Sequence, residues 1–173
     1  MANLKDCTYF NIHDDYYTRK EAWSQITPFL DNEKVLYEFC LLNSNEQSKK
    51  YLEELGYKVL GNRNIDFLNY NEEENDADIL ISNIPFSTNL KISILKKLAQ
   101  LDKPFIIIMN SLNIFTKYFK DIFEGKDIYI IYPSTKIHYD KYNKNGNKIE
   151  SKNNTSFYSC YVCYKVINKN VFI

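Results

Sequence analysis

An open, mostly parallel α/β sheet with helices on both faces is the architecture this sequence predicts, from three observations. Apolar segments of strand length alternate along the chain with segments of helical period. The most strand-like of them, PFIIIM at Pro104 to Met109, is apolar throughout, as a strand covered by helices on both faces must be. A long aromatic segment, Ser156 to Ile167, comes last, after a break rich in Lys, Asn and Ser, and predicts an antiparallel strand pair closing the sheet.

The elements follow in order. Thr18 to Leu30 carries Ala22, Trp23, Ile26 and Phe29 at helical spacing, and Thr18 with Glu21 suggests a capping box. Val35 to Leu42 is an apolar run interrupted by Glu38, read as a buried strand. Ser44 to Leu55 reads as a helix stopped by Gly56, Tyr57 to Leu60 as the next strand, and Ile65 to Leu68 as a short third one. Asp78 to Ser82 is a strand and Leu90 to Leu101 a helix with Ile92, Leu95, Leu98 and Ala99 on one side. After PFIIIM, Leu112 to Phe123 is a helix before Gly125 and Asp127 to Tyr132 a strand. Pro133 to Thr155 reads as a long loop.

A length of 173 residues favours one domain, 1-173, whose core stands without disulfides or metal. Fifteen Tyr and eleven Phe against one Trp make it rich in aromatics. The formal charge is zero, so no global field draws nucleic acid, but the signs are unevenly spread: from Ser134 to Ile173 there are seven Lys against two acids. Glu72, Glu73, Glu74, Asp76 and Asp78 form the densest acidic run, read as a solvated loop before a strand. No stretch reaches the length of an apolar membrane span, and MANLKDCTYF lacks a signal core, so an intracellular protein without a membrane partner is expected. Cys160 and Cys163 imitate a CxxC pair, but residues three apart on a strand point to opposite faces, so they read as core thiols. His13 and His138 are isolated, and no metal set emerges.

One stretch breaks the pattern. ISNIPFS, Ile81 to Ser87, sets an amide, a proline and a ring at the end of a buried strand. It could be a strand exit, with Pro85 setting the turn and Phe86 plugging the core. In an open α/β sheet, however, ligands sit outside the carboxyl ends of the strands, and Asn83 to Phe86 would lie there. The Asn83 carbonyl and the backbone carbonyl of Ile84 or Pro85 can accept from one exocyclic amine while Phe86 stacks on the ring that bears it. An extruded adenine fits that description.

These residues resemble the catalytic motif of methyltransferases acting on adenine N6, usually Asn-Pro-Pro-Phe/Tyr, with Asn-Ile-Pro-Phe used by ribosomal RNA adenine dimethylases. Tyr16-Tyr17-Thr18 resembles the Tyr-x-Thr-Pro element of the same family, with Arg19 in place of the Pro, and Asp66-Phe67 resembles its acidic-aromatic element. Roughly residues 14 to 167 resemble a small viral or phage subgroup. The resemblance implies a Rossmann-like methyltransferase fold, S-adenosylmethionine as cofactor and nucleic acid, DNA or RNA, as substrate. It assigns Asn83, Ile84, Pro85 and Phe86 to catalysis and Tyr17, Thr18, Glu38, Asn43, Asn45, Asp66 and Phe67 to the cofactor.

The sequence departs from the family at the turn after the first strand, where Asn43, Ser44, Asn45 and Glu46 stand in place of an acid and a Gly. Glycine there lets the backbone approach the cofactor closely. An active adenine-N6 methyltransferase is therefore one expectation, with Lys136, Lys141, Lys144 and Lys148 tracking phosphates. A catalytically inactive methyltransferase-fold subunit binding RNA or a partner protein is the alternative. A small-molecule or protein N-methyltransferase is a third. With no evident target-recognition domain, a partner subunit or larger assembly is also expected.

Overall fold

The computed structural model describes residues 16–40, 46–61, 67–70, 76–142, 148–149 and 155–173. The first elements are β1 (Tyr17–Thr18) and α1 (Lys20–Ser24), then β2 (Val35–Glu38), α2 (Gln47–Glu54) and β3 (Lys58–Leu60). Next come β4 (Ile79–Asn83), α3 (Thr88–Leu101), β5 (Phe105–Asn110), α4 (Lys117–Ile122) and β6 (Ile128–Tyr132). Then follow β7 (Tyr139–Tyr142), β8 (Lys148–Ile149), β9 (Ser159–Tyr164) and β10 (Val171–Phe172).

Seven strands form one sheet in the order β10-β6-β9-β5-β4-β2-β3. All neighbours are parallel except β9, which runs antiparallel to both β5 and β6. This is the doubly wound, Rossmann-like α/β sheet with antiparallel pairing near its end that the alternating pattern predicts. From β2 the backbone passes outward to β3 and then returns to place β4 on the other side of β2. Strand order reverses between β2 and β4, where such sheets bind ligands.

The strands alternate between two cores. Tyr37, Leu80, Phe105, Ile107, Met109, Cys160 and Val162 face one side, where Ile94, Leu95 and Leu98 of α3 and Phe119 of α4 cover them. Leu36, Ile79, Ile81, Ile106, Ile108, Tyr161 and Cys163 face the other, against Ala22, Trp23 and Ile26 from α1 and its following turn, and Leu52 of α2. Cys160 and Cys163 thus lie on opposite faces as buried thiols, and burial pushes both thiol pKa values up, that of Cys160 to about 12.

Several local expectations change. Thr18 belongs to β1, and Arg19 takes the N-cap of α1 without a capping hydrogen bond from its side group, so the Thr18–Glu21 capping box does not form. Phe67–Asn69 is a 3-10 turn rather than part of a strand, because Phe67 is drawn into the core and stacks on Phe39 at 4.1 Å; residues 65 and 66 lie outside the described residues. The helix expected over 112 to 123 is divided: a 3-10 turn, Ser111–Phe115, precedes α4, and Thr116 caps α4 by accepting from Phe119 N. Asp78 is not merely solvated, since it accepts from Val35 N at 2.8 Å and joins the starts of β4 and β2. The segment read as a loop over 133 to 155 contains β7 and β8, which pair with each other while β7 also pairs with β1. The final strand is shorter than expected, with Lys165 in the left-handed region (φ 56°) just after β9.

Tyr161 ties the layers together: its buried hydroxyl donates to the Ala22 carbonyl of α1 at 2.6 Å. Tyr161→Phe strands that acceptor and is expected to cost about 1–3 kcal/mol of unfolding free energy, read as a lowered urea midpoint with unchanged slope.

Candidate functional site

The site is built where β2 and β4 end. Glu38 pairs in register with Ile81, so Ser82 and Asn83 project one and two residues beyond that pair. β4 is buried along its whole length, and a polar group at its end must find a partner. Ser82 finds Glu38, donating Oγ–H to Glu38 Oε1, which also accepts from Cys40 N at 3.1 Å. Only 1% of Glu38 is exposed. Burial pushes its carboxyl up to about 7, against the pull of the Ser82 and Cys40 hydrogen bonds.

Asn83 is held on one side only. Its Nδ2 donates to the Tyr16 carbonyl at 2.9 Å, while its Oδ1 is buried with no hydrogen-bond partner among the described residues. Ile84 extends the ladder by one bond, donating N–H to Ile108 O at 3.2 Å, and Pro85, with no N–H, ends it. Phe86 then turns into a group of rings: Phe157 at 4.7 Å, Tyr16 at 4.8 Å and Tyr139 at 6.2 Å between centroids. The backbone carbonyl of Phe86 accepts from Lys91 Nζ at 3.2 Å, and Lys91 is a buried lysine of α3.

The β1–β7 ribbon supplies the other wall. Thr18 is 2% exposed and its Oγ1 is a second buried atom without a hydrogen-bond partner among the described residues. Arg19 pairs with Asp140 across the ribbon at 2.6 Å, and Lys141 lays its Nζ 4.3 Å above the Tyr16 ring. Tyr139 donates to Ser159 Oγ at 2.7 Å, and burial raises its phenol pKa so that it stays protonated. Between these walls lies a narrow cleft, lined by Tyr16, Tyr17, Thr18, Glu38, Cys40 and Asn83, and by Glu46 to Ser48 at the start of α2. Glu46 takes a left-handed conformation, φ 45° and ψ 39°, at the N-cap of α2.

Of the residues singled out in the sequence, Tyr17, Thr18, Glu38 and Asn83 share this cleft, with Ile84, Pro85 and Phe86 running on from it. Phe67 does not line it; it packs on Phe39 in the opposite core. Lys136 donates to the Thr155 carbonyl and lies 5.0 Å above the Tyr158 ring. Asn43, Asn45, Asp66 and Lys144 fall outside the described residues, and Lys148 is placed as backbone in β8. Ser82, Lys91, Tyr139 and Phe157 are contributors that sequence reasoning did not find. Ser82 had a signal, as a hydroxyl inside an apolar strand shortly before a Pro; Tyr139 and Phe157 had none, since their segments read as a loop and as the final strand.

Among the described residues no group of three or more His, Cys, Asp or Glu could hold a metal ion, and no helix is long and apolar enough to cross a membrane. No protein-family model matches the sequence, and no curated protein matches it either. Several solved structures resemble it, among them two methyltransferases. One is a TehB-like SAM-dependent methyltransferase from Corynebacterium glutamicum, with TM-score 0.46 and 11% identity over 84% of this chain and 97% of that one. The other is a SAM-dependent O-methyltransferase from Thermotoga maritima, with TM-score 0.44 and 9% identity over 84% of this chain and 64% of that one. At these scores neither likeness bears on the chemistry of the site.

Glu38 makes stability depend on pH. An unfolded glutamate titrates at about 4.3, whereas the folded one titrates at about 7, so between those values the native state holds a proton that the unfolded state has released. Stability therefore falls as pH rises through that window, on the order of 3 kcal/mol in all. Urea unfolding of wild type and Glu38→Gln across pH 4 to 8, about the span of that titration, is expected to show the fall in wild type alone. Parallel profiles would mean the carboxyl is not protonated in the fold.

Proposed function

We propose that this protein transfers a methyl group from S-adenosylmethionine to the N6 amine of an adenine presented by nucleic acid. The observation that carries the reading is Asn83. Its Nδ2 is committed to Tyr16, so its Oδ1 is left as a buried acceptor beside the cleft with no donor among the described residues. An exocyclic amine is the donor it lacks.

The residues present fit the cofactor in one respect the structure can test: Thr18 Oγ1 is a further buried polar atom without a hydrogen-bond partner in the same cleft, which suits a polar molecule. Tyr17, Thr18 and Glu38 would hold it, and the resemblance adds Asn43, Asn45 and Asp66. When bound, S-adenosylmethionine supplies a sulfonium methyl that is already a strong electrophile. What remains for the protein is positioning. Asn83 accepts from N6, with the Ile84 or Pro85 carbonyl as second acceptor, and orients the nitrogen lone pair away from the adenine ring. Phe86 and its neighbouring rings form the apolar wall for the base. Glu38, with its carboxyl near 7, becomes an anion whenever a cationic group sits against it. Lys136 and Lys141 flank the ring cluster, and with Lys144 and Lys148 they are the proposed phosphate contacts.

One observation favours a second reading, an inactive methyltransferase-fold subunit that binds RNA or a partner protein. Glu46 occupies a left-handed position in the segment where the resemblance implies glycine, at a cost of about 1 kcal/mol, and it lines the cleft.

Calorimetric titration with S-adenosylmethionine separates the two readings. Binding is expected, and no heat at millimolar cofactor in a folded sample would leave the inactive subunit. Given binding, Asn83→Ala should lower methyl transfer to an adenine-containing oligonucleotide by about 100-fold or more while cofactor affinity stays nearly intact. Equal losses in both would show that Asn83 serves the cofactor instead.

A further inference from the structure

Beside the site, the carboxyl edge of the sheet carries large apolar groups that the core does not use. Leu112, Phe115 and Tyr158 are 69%, 81% and 67% exposed. Ser111 joins their two segments, donating both N–H (2.9 Å) and Oγ–H (3.1 Å) to the Tyr158 carbonyl. Leu112 and Phe115 stand three apart in the 3-10 turn Ser111–Phe115, which is one turn of such a helix, so they share a face.

This surface is continuous with the motif. Ile108 pairs in register with Asn83 and Asn110 with Ser159, so β5 leads directly from the end of β4 to the turn that bears Leu112. Phe157 and Tyr158 point apart: Phe157 inward to Phe86 at 4.7 Å, Tyr158 out to water. Two cations along this edge lie on rings, Lys136 over Tyr158 at 5.0 Å, where its Nζ also donates to the Thr155 carbonyl, and Lys141 over Tyr16 at 4.3 Å, while Lys117, beside Phe115, pairs with Asp121. The nearby Asp140 is paired with Arg19.

Rings left in water with lysines nearby are the elements of a single-strand track, because any base offers a π face and every nucleotide a phosphate. A duplex keeps its base faces stacked away. A protein partner fits less well, since lysine is depleted from protein interfaces. We propose that Tyr158, Phe115 and Leu112 form a stacking platform for nucleotides flanking the target, and that the substrate is single-stranded nucleic acid. This rests on the nucleic-acid reading of the site and extends it to the strandedness of the substrate.

The test is fluorescence anisotropy without S-adenosylmethionine, using a short labelled oligonucleotide of mixed sequence, in DNA and RNA forms, and each annealed to its complement. Single strands are expected to bind at least about tenfold tighter than duplexes. Tyr158→Ala and Phe115→Ala are each expected to weaken single-strand binding about 5- to 100-fold, with Tyr158→Phe close to wild type. Lys136→Ala should reduce the salt slope by about one phosphate contact. Equal affinity for duplex, or alanine variants that bind like wild type, overturns the platform. Absence of oligonucleotide binding, with self-association that Phe115→Ala abolishes, overturns it in favour of a protein interface. Because the binding assay omits the cofactor it does not depend on catalysis: single-strand binding there, with no methyl transfer in a separate assay supplied with S-adenosylmethionine, refutes the catalytic reading alone. Methyl transfer with unaffected alanine variants refutes the platform alone.

Discussion

The hydrogen bond from Ser82 to Glu38 joins the carboxyl ends of β4 and β2 at the point where strand order reverses. Both strands are covered by apolar layers, and a carboxyl brought that deep must either find donors or take a proton. Glu38 does some of each: it accepts from Ser82 and Cys40 N, and its pKa still rises to about 7. The position of Asn83 follows from this bond. With Ser82 turned toward β2, the next residue faces the opposite way, toward Tyr16 and β1. The cleft therefore has a titratable acid on one strand and a half-satisfied amide on the next.

The aromatic cluster is a second consequence of the same geometry. Pro85 ends the ladder, Lys91 holds the carbonyl of Phe86, and the ring goes where Tyr16, Tyr139 and Phe157 already meet. Those three come from just before β1, from β7 and from the residues before β9, which are distant in sequence. Tyr16 carries this cluster to the edge of the cleft, and the packed rings replace the free-standing Phe86 that the motif suggests in isolation. A base bound beside Asn83 would meet a packed edge of several rings, with Lys141 resting on one of them.

How much of this was legible in sequence depended on the range of the interactions. Strand–helix alternation is local, so β2, α2, β4, α3, β5 and β6 were readable from period and punctuation. The motif was readable because its unusual chemistry, an amide and a proline closing an apolar strand, is contiguous. The capping box failed because pairing with β7 recruits Thr18 into a strand, an interaction across more than a hundred residues. Tyr139, hidden in a Lys- and Asn-rich stretch, gave no sign that it would be buried, since only the fold brings Ser159 and Phe86 against it.

By itself the sequence determined the class of the sheet, its two-sided burial and the placement of Asn83 at the end of a strand, because hydrophobic period and turn chemistry are properties of short segments. Only the tertiary structure decided which amide atom of Asn83 stays without a partner, that Glu38 is buried against Ser82, and that Phe86 joins three other rings. Each of those depends on strands and loops far apart in sequence meeting at one edge. Burial and hydrogen-bond partnership are set there, where the segments pack, and not within any one of them.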